Sequence, residues 1–423
     1  MLHFTLICLV FFGLSNGLDP DDIGIDIVEY LKRHNYQIES HFVTTEDNYI
    51  LQMHRITNKD GNFQKNGKPP VLLVHGLGSS SMDFVNYGSE KSIGLMLADR
   101  GYDVWLGNCR GNTWSRNHTN LNIDDRKFWD YSFHEIGYYD LPAKIDYIIN
   151  KTGKPKLSYI GHSQGCTSFL VMCATRPEYN DKINIMAALA PPSYMHNISN
   201  AALQFAFKPA VNLALGLILE ILKWKDVMPH TDSFTQFGKT VCVENSKYNV
   251  ICKELYFFMG GRDEEQFDLS ILPVVFSSDP AGASWKQLMH YGQEIYSGYF
   301  RPYDHGIIKN RIIYHQDIPP SYNTALITAP VALYYGIADN LVSYTDVERL
   351  AKELPNLVRS TLLQNNFTHL DFLWAKDVAT LVNNDLIALL NLENGLTDDS
   401  TIILPNSLVV IVFICLSVLF NLY

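Results

Sequence analysis

Short apolar, β-branched runs recur along the first half of the chain, at 71–74, 102–106, 157–160 and 185–189. Segments of helical periodicity, such as 93–99 and 141–150, lie between them. A run that is apolar without alternation is buried on both faces, and strands interleaved with helices are joined by crossovers. The pattern therefore predicts a mostly parallel sheet covered by helices on both sides. Ahead of it, the amphipathic stretch 22–34 predicts a helix. Two alternating runs, 41–45 and 49–56, flank Glu46-Asp47-Asn48 and predict a β-hairpin. A polar stretch, 58–70, closes this opening section.

The pattern stops at Pro191-Pro192. From 194 to 320 the chain is rich in aromatic residues, contains the very apolar stretch 210–222, and has no regular strand spacing. Alternation resumes with a strand at 329–335, a helix at 346–353, a strand at 358–363 and a helix at 377–390. This predicts a core in two parts, 18–193 and 321–395, with a mainly helical cap, 194–320, inserted between them. At about thirteen residues, 210–222 is too short to span a bilayer, which takes about 20. It reads either as a buried cap helix or as a surface that meets lipid when the cap opens.

Composition narrows the field. With 47% hydrophobic and 18% charged residues in 423, the chain is globular rather than disordered. A net charge of −11 and a pI near 5.7 argue against a nucleic-acid partner and against electrostatic docking on anionic membranes, so any attraction to lipid is apolar. Residues 1–17 read as a signal peptide, an apolar core followed by Ser15-Asn16-Gly17, which directs the chain to the secretory pathway and an oxidising compartment. The sequons at Asn117, Asn150, Asn197 and Asn366 fit that address.

Of seven cysteines, Cys8 falls in the signal and Cys415 in the apolar C-terminal tail, leaving five and hence at least one free thiol. Cys166 and Cys173 are seven apart on one predicted helix, roughly 10 Å, too far for a disulfide. Cys242 and Cys252, close together in a loop-rich region, form the candidate pair. Cys109, Cys166 and Cys173 read as small core hydrophobes.

The chemistry centres on Gly161-His162-Ser163-Gln164-Gly165, which follows a strand-like run and opens a helix-prone one. Strand, G-x-S-x-G, helix is the context of a nucleophile elbow. The serine stands on a tight turn with its hydroxyl lifted clear of the sheet and the next residue's N–H aimed at the same spot. A serine hydroxyl needs a histidine to take its proton, and that histidine needs an acid to fix its tautomer. In this fold class both follow later strands, in the order Ser, Asp, His. Asp339 ends Ala332 to Asp339, directly after one resumed strand, and His369 follows the next. Asp346 is the rival acid, but its place at the start of a helical pattern suits capping better. His75-Gly76-Leu77-Gly78, after the third strand, offers the Leu77 N–H as a second oxyanion donor beside Gln164. No metal motif, P-loop or G-x-G-x-x-G is present, so no metal or nucleotide cofactor is expected.

These residues carry a resemblance. Residues 22–392 resemble the acid lipases (gastric, lingual and lysosomal lipases and their insect relatives), members of the α/β-hydrolase superfamily. The most specific segments are TTEDNYILQMHR at 44–55, GYDVWLGNCRGNTWSRNH at 101–118, YDLPAKIDYII at 139–149, YIGHSQG at 159–165, PAGAS at 280–284 and HLDFLWA at 369–375. The resemblance implies Ser163 as nucleophile, Asp339 as acid, His369 as base and Leu77 with Gln164 as oxyanion hole. It also implies a mobile lid within roughly 223–252, and a cap disulfide that supports the Cys242–Cys252 pairing.

The chain departs from the family in two places. Where the family has Gly-Gly before the acid, this chain has Gly336-Ile337, which is expected to tighten the space around Asp339. The tail after Asp399 has no counterpart; its apolar run, 402–423, reads as a lipid-anchor signal, as a membrane-spanning segment, or as neither. The expected activity is a serine hydrolase of neutral-lipid esters, triacylglycerols or sterol esters, working at a lipid–water interface. A carboxylesterase for short or specialised esters, and a non-catalytic lipid carrier on the same fold, are the alternatives.

Overall fold

A computed structural model describes residues 19–56 and 68–396. The signal peptide, most of the polar stretch 58–70 and the apolar tail lie outside the described residues. The strands are β1 (Ile38–Thr44), β2 (Tyr49–Ile56), β3 (Pro70–Val74), β4 (Asp103–Gly107), β5 (Asn117–His118), β6 (Leu157–His162), β7 (Ile183–Leu189), β8 (Asp226–Val227), β9 (Ala283–Ser284), β10 (Val331–Gly336) and β11 (Leu357–Leu363). The main sheet has nine strands, ordered β1-β2-β4-β3-β6-β7-β10-β11, with β5 added against β2. β2 pairs antiparallel with β1, β4 and β5; from β4 through β11 the pairing is parallel.

The non-alternating runs are the central strands, as burial on both faces requires. Every residue of β3, β4, β6 and β10 is buried, whereas the edge strands β1 and β11 are half exposed. Successive side chains pass to opposite faces: Val71 and Leu73 join one core, Leu72 and Val74 the other. Each such aliphatic side chain removed from water contributes roughly 1.5–3 kcal/mol.

Two predicted elements differ in detail. The stretch 22–34 divides into a short 3₁₀ turn, Pro20–Asp22, and a helix, Ile27–Arg33, because Gly24 sits at φ +72° between them. Section 194–320 is mainly helical but does hold a strand pair, β8 with β9. Its apolar stretch is the helix Pro209–Ile221, on which Leu219 is buried while Leu217 and Ile218 are exposed, as are Ile221, Leu222 and Trp224 beyond them. Cys242 and Cys252 are joined by a disulfide, and Cys109, Cys166 and Cys173 are free and buried. Among the described residues no helix is long and apolar enough to cross a membrane.

A buried arginine ties the sheet's loops together. Arg110, 1% exposed, donates Nε to Asp140 Oδ1 (2.7 Å) and its two terminal nitrogens to Asp47 (2.6 and 2.9 Å), while its guanidinium lies 4.0 Å over the Tyr49 ring. Three chain segments thus share one cation: the hairpin turn, the loop after β4 and the turn before the helix Leu141–Thr152.

Candidate active site

The elbow is built by close packing that only glycine permits. A Cβ on Gly165 would meet the Val74 carbonyl oxygen at 2.1 Å, and one on Gly161 would meet the amide nitrogen of Cys166 at 2.8 Å. Ser163, between them, sits at φ +50°, ψ −121°, a sparsely populated conformation that costs about 1–3 kcal/mol. The surroundings hold it there. Its amide donates to Leu189 O at the end of β7 (2.9 Å), and its carbonyl accepts from Cys166 N (2.8 Å) as the helix Gln164–Thr175 begins. Ser163 is partly exposed among buried neighbours.

Gly76, in the loop after β3, approaches the same point: a Cβ there would lie 3.1 Å from Ser163 Cβ. His75 fastens this loop. Its Nε2 accepts from Cys109 N–H (3.1 Å) and its Nδ1 donates to Gly76 O (2.8 Å). Burial lowers its pKa to about 4, so the ring stays neutral and keeps that tautomer. Leu77 follows, partly buried. Gln164 is buried and donates Nε2 to Gln287 Oε1 (2.7 Å) on the helix Trp285–Ser297, which links the elbow to section 194–320. The same section reaches the loop twice more: Ala281 N donates to Gly78 O (2.6 Å), and Met228 packs against Gly78.

Asp339 and His369 meet from two other strand ends. Asp339 Oδ2 accepts from His369 Nδ1 (2.8 Å), while its Oδ1 accepts the amides of Leu341 and Val342 (2.8 Å each). The acid is therefore fixed by three donors, and Nδ1 carries the ring's proton, leaving Nε2 free to accept one. The His369 amide donates to Gly260 O (3.0 Å), at the end of the helix Asn249–Gly260. The next residue, Gly261, has φ +112°, and a Cβ there would meet Ala338 O at 2.4 Å, so this turn is pressed onto the Asp339 loop. Beside His369, Asp371 accepts from Thr368 N and Oγ1 (2.7 Å each), and burial pushes its carboxyl up to about 7.

The structure thus brings Asp339 and His369 into hydrogen-bond contact, and the loop bearing Leu77 against the Ser163 elbow. It holds no hydrogen bond between Ser163 Oγ and the His369 ring. The two are related through His162, whose ring centroid lies 5.0 Å from that of His369.

Asp346 is not the helix cap expected of it. The helix Tyr344–Glu353 begins after Ser343, and Asp346, inside its first turn, accepts Asn197 N (2.9 Å) and Nδ2 (2.7 Å) instead. Asn117, Asn150 and Asn366 are exposed; Asn197 is exposed too, with its amide nitrogen engaged by that carboxylate. Ile337 does not crowd Asp339. It stands 41% exposed, and Asp339 keeps all three donors. His162, Gly260-Gly261 and Gln287 also contact the site, and no motif in the sequence marks their roles. His162 occupies an x position of the G-x-S-x-G motif, the paired glycines after an apolar helix are the signal for the Gly260 contact, and Gln287 carries none.

A pair of carboxyls lies behind the loop. Asp83, in the turn Ser81–Phe84, and Asp279 face each other with their oxygens shielded from solvent. Burial raises both pKa values, Asp83 to about 6, and repulsion from Asp83 raises Asp279 further. Protons held above the free aspartate value of about 3.9 give stability that is full in acid and is lost as pH rises through about 6. Asp279→Asn is accordingly expected to narrow the fall in melting temperature between pH 5 and pH 8. Thermal melts of both proteins across that range check it; an unchanged slope would refute it.

Comparison with known proteins follows the same lines. Residues 27–88 match the model of a partial alpha/beta-hydrolase lipase region, and residues 69–213 that of the alpha/beta hydrolase fold. The chain is 42% identical to Lipase 1 of Drosophila melanogaster over 87% of its own length and 80% of that protein's. It is 36% identical to human gastric triacylglycerol lipase, over 90% and 94% of the two chains. To human lysosomal acid lipase/cholesteryl ester hydrolase it is 33% identical, over 91% and 97%. Among solved structures, a candidate lipase from Sulfolobus solfataricus shares the fold at 13% identity, with a TM-score of 0.58 over 85% of this chain and 95% of that one.

Proposed function

From the premise that this chain belongs to the acid lipase family, and is a hydrolase of lipid carboxylic esters, we propose that Ser163, Asp339 and His369 carry the reaction, with the amides of Leu77 and Gln164 as oxyanion donors. The observation that carries this reading is the Asp339–His369 hydrogen bond, 2.8 Å and buried, on the loops that follow β10 and β11. It fixes the tautomer in which Nε2 is the free base.

In the reaction, Ser163 Oγ attacks the ester carbonyl and gives its proton to His369 Nε2. The tetrahedral oxyanion is held by the two amides, each worth roughly 3 kcal/mol of the barrier. His369 returns the proton to the leaving alcohol, and an acyl-enzyme remains on Ser163. Water, deprotonated by the same Nε2, releases the fatty acid. Asp339 stays ionised throughout and stabilises the imidazolium.

The substrates are neutral lipids, triacylglycerols and sterol esters, the classes named by the gastric and lysosomal relatives. Exposed Leu217, Ile218, Ile221, Leu222 and Trp224 give section 194–320 an apolar surface of the kind that meets a lipid phase. That section acts as a cap between core parts 18–193 and 321–395, with a lid within roughly 223–252. The Cys242–Cys252 disulfide supports passage through the secretory pathway, toward a secreted or lysosomal destination. A chain-length series of esters, from soluble butyrates to emulsified triolein and cholesteryl oleate, assayed from pH 4 to 8, tests the substrate class. Hydrolysis of the emulsified esters is expected. Activity confined to short soluble esters would favour the carboxylesterase reading.

A further inference from the structure

His162 stands between the nucleophile and the base in a way the reaction scheme above does not use. It is 3% exposed, next to Ser163 in the chain. Its Nε2 lies 3.0 Å from the carbonyl oxygen of His369, an atom that only accepts, so Nε2 carries the proton and donates. Nδ1 is buried without a partner, and burial holds the ring's pKa down to about 3, so it is neutral. The peptide groups of His369 are therefore held from two sides. The amide is fixed to Gly260 O by the helix Asn249–Gly260, and the carbonyl is fixed to the elbow by His162.

Resting on the assignment of His369 as base, we infer that His162 is a positioning residue: its Nε2–H···O=C bond sets the distance and angle at which the His369 ring faces Ser163 Oγ. The elbow is rigid and strained, whereas His369 sits on a loop, so this bond ties the movable partner to the fixed one. A neutral ring suits the task. A second cation 5.0 Å away would oppose the imidazolium that forms during catalysis, whereas neutral His162 adds a tether without adding charge.

The test compares two unbranched replacements of similar reach, H162Q and H162M, of which only glutamine can donate to the carbonyl. kcat and KM are measured on a soluble butyrate ester, with functional sites counted by titration with a phosphonate ester and Ser163→Ala carried alongside. H162M is expected to lose about 10- to 100-fold in kcat per titrated site at unchanged KM, the scale of a small misplacement of reacting groups, and H162Q less than about threefold. Normal kcat in H162M would overturn the inference. Equal losses in both variants would overturn it too, since ring volume rather than the hydrogen bond would then matter. An active Ser163→Ala would instead sink the assignment of the site itself, so the two failures are distinct.

Discussion

Ser163→Ala is expected to lower ester hydrolysis by about 10⁴-fold or more while leaving the fold and the melting temperature nearly unchanged. In the proposed reaction the loss is large because the hydroxyl is the bond-forming atom. Residual activity would reflect the Leu77 and Gln164 amides alone, which still polarise a bound carbonyl but supply no nucleophile. Alanine also keeps the Cβ that Gly76 approaches, so the loop geometry is preserved. Rates on a soluble ester and labelling by a phosphonate ester check it. A variant that hydrolyses within about tenfold of the wild type would remove Ser163 from the mechanism.

The largest effect on stability is expected at Arg110. Arg110→Met keeps most of the side chain's bulk but strips Asp140, 0% exposed, of its close cationic partner; the nearest other cation, Lys144 Nζ, is 3.9 Å away. Removing one partner of a buried ion pair costs about 3–5 kcal/mol, about 4–6 °C in melting temperature for a chain of this length, less whatever Lys144 offsets. Removing the charge as well should recover part of the loss, so Arg110→Met with Asp140→Asn should melt above Arg110→Met alone. Thermal melts of the three proteins decide it. A single variant that melts within about 2 °C of wild type would show the charge to be solvated rather than buried.

The sheet was legible because its central strands are apolar on both faces and punctuated by turns, a signal that survives without any partner in view. Gly161, Ser163 and Gly165 were legible for a related reason: the tight turn demands those residue types at fixed spacing. Chain order after strands singles out Asp339 and His369, and their mutual contact becomes visible only once the strands have positions. What stayed hidden was made by residues distant in sequence. His162 meets His369 across 207 positions, and Gln164 meets Gln287 across 123. Asp346 looks like a cap in sequence because a carboxylate near a helix start is the usual cap, and nothing local shows that Asn197, 149 residues away, claims both its oxygens.

The two-sided hold on His369 also bears on the order in which the protein comes alive. During synthesis the chain lays down residue 162, then 260, and the base only afterwards. The socket that receives His369 is made of earlier segments, and His369 itself rides on the section synthesised after them. A nascent chain with its elbow already formed would still lack both acid and base, and would leave the lipids around it intact. Hydrolytic competence is then among the final properties the molecule gains, and the appearance of activity reports that the first and last sections of the chain have met.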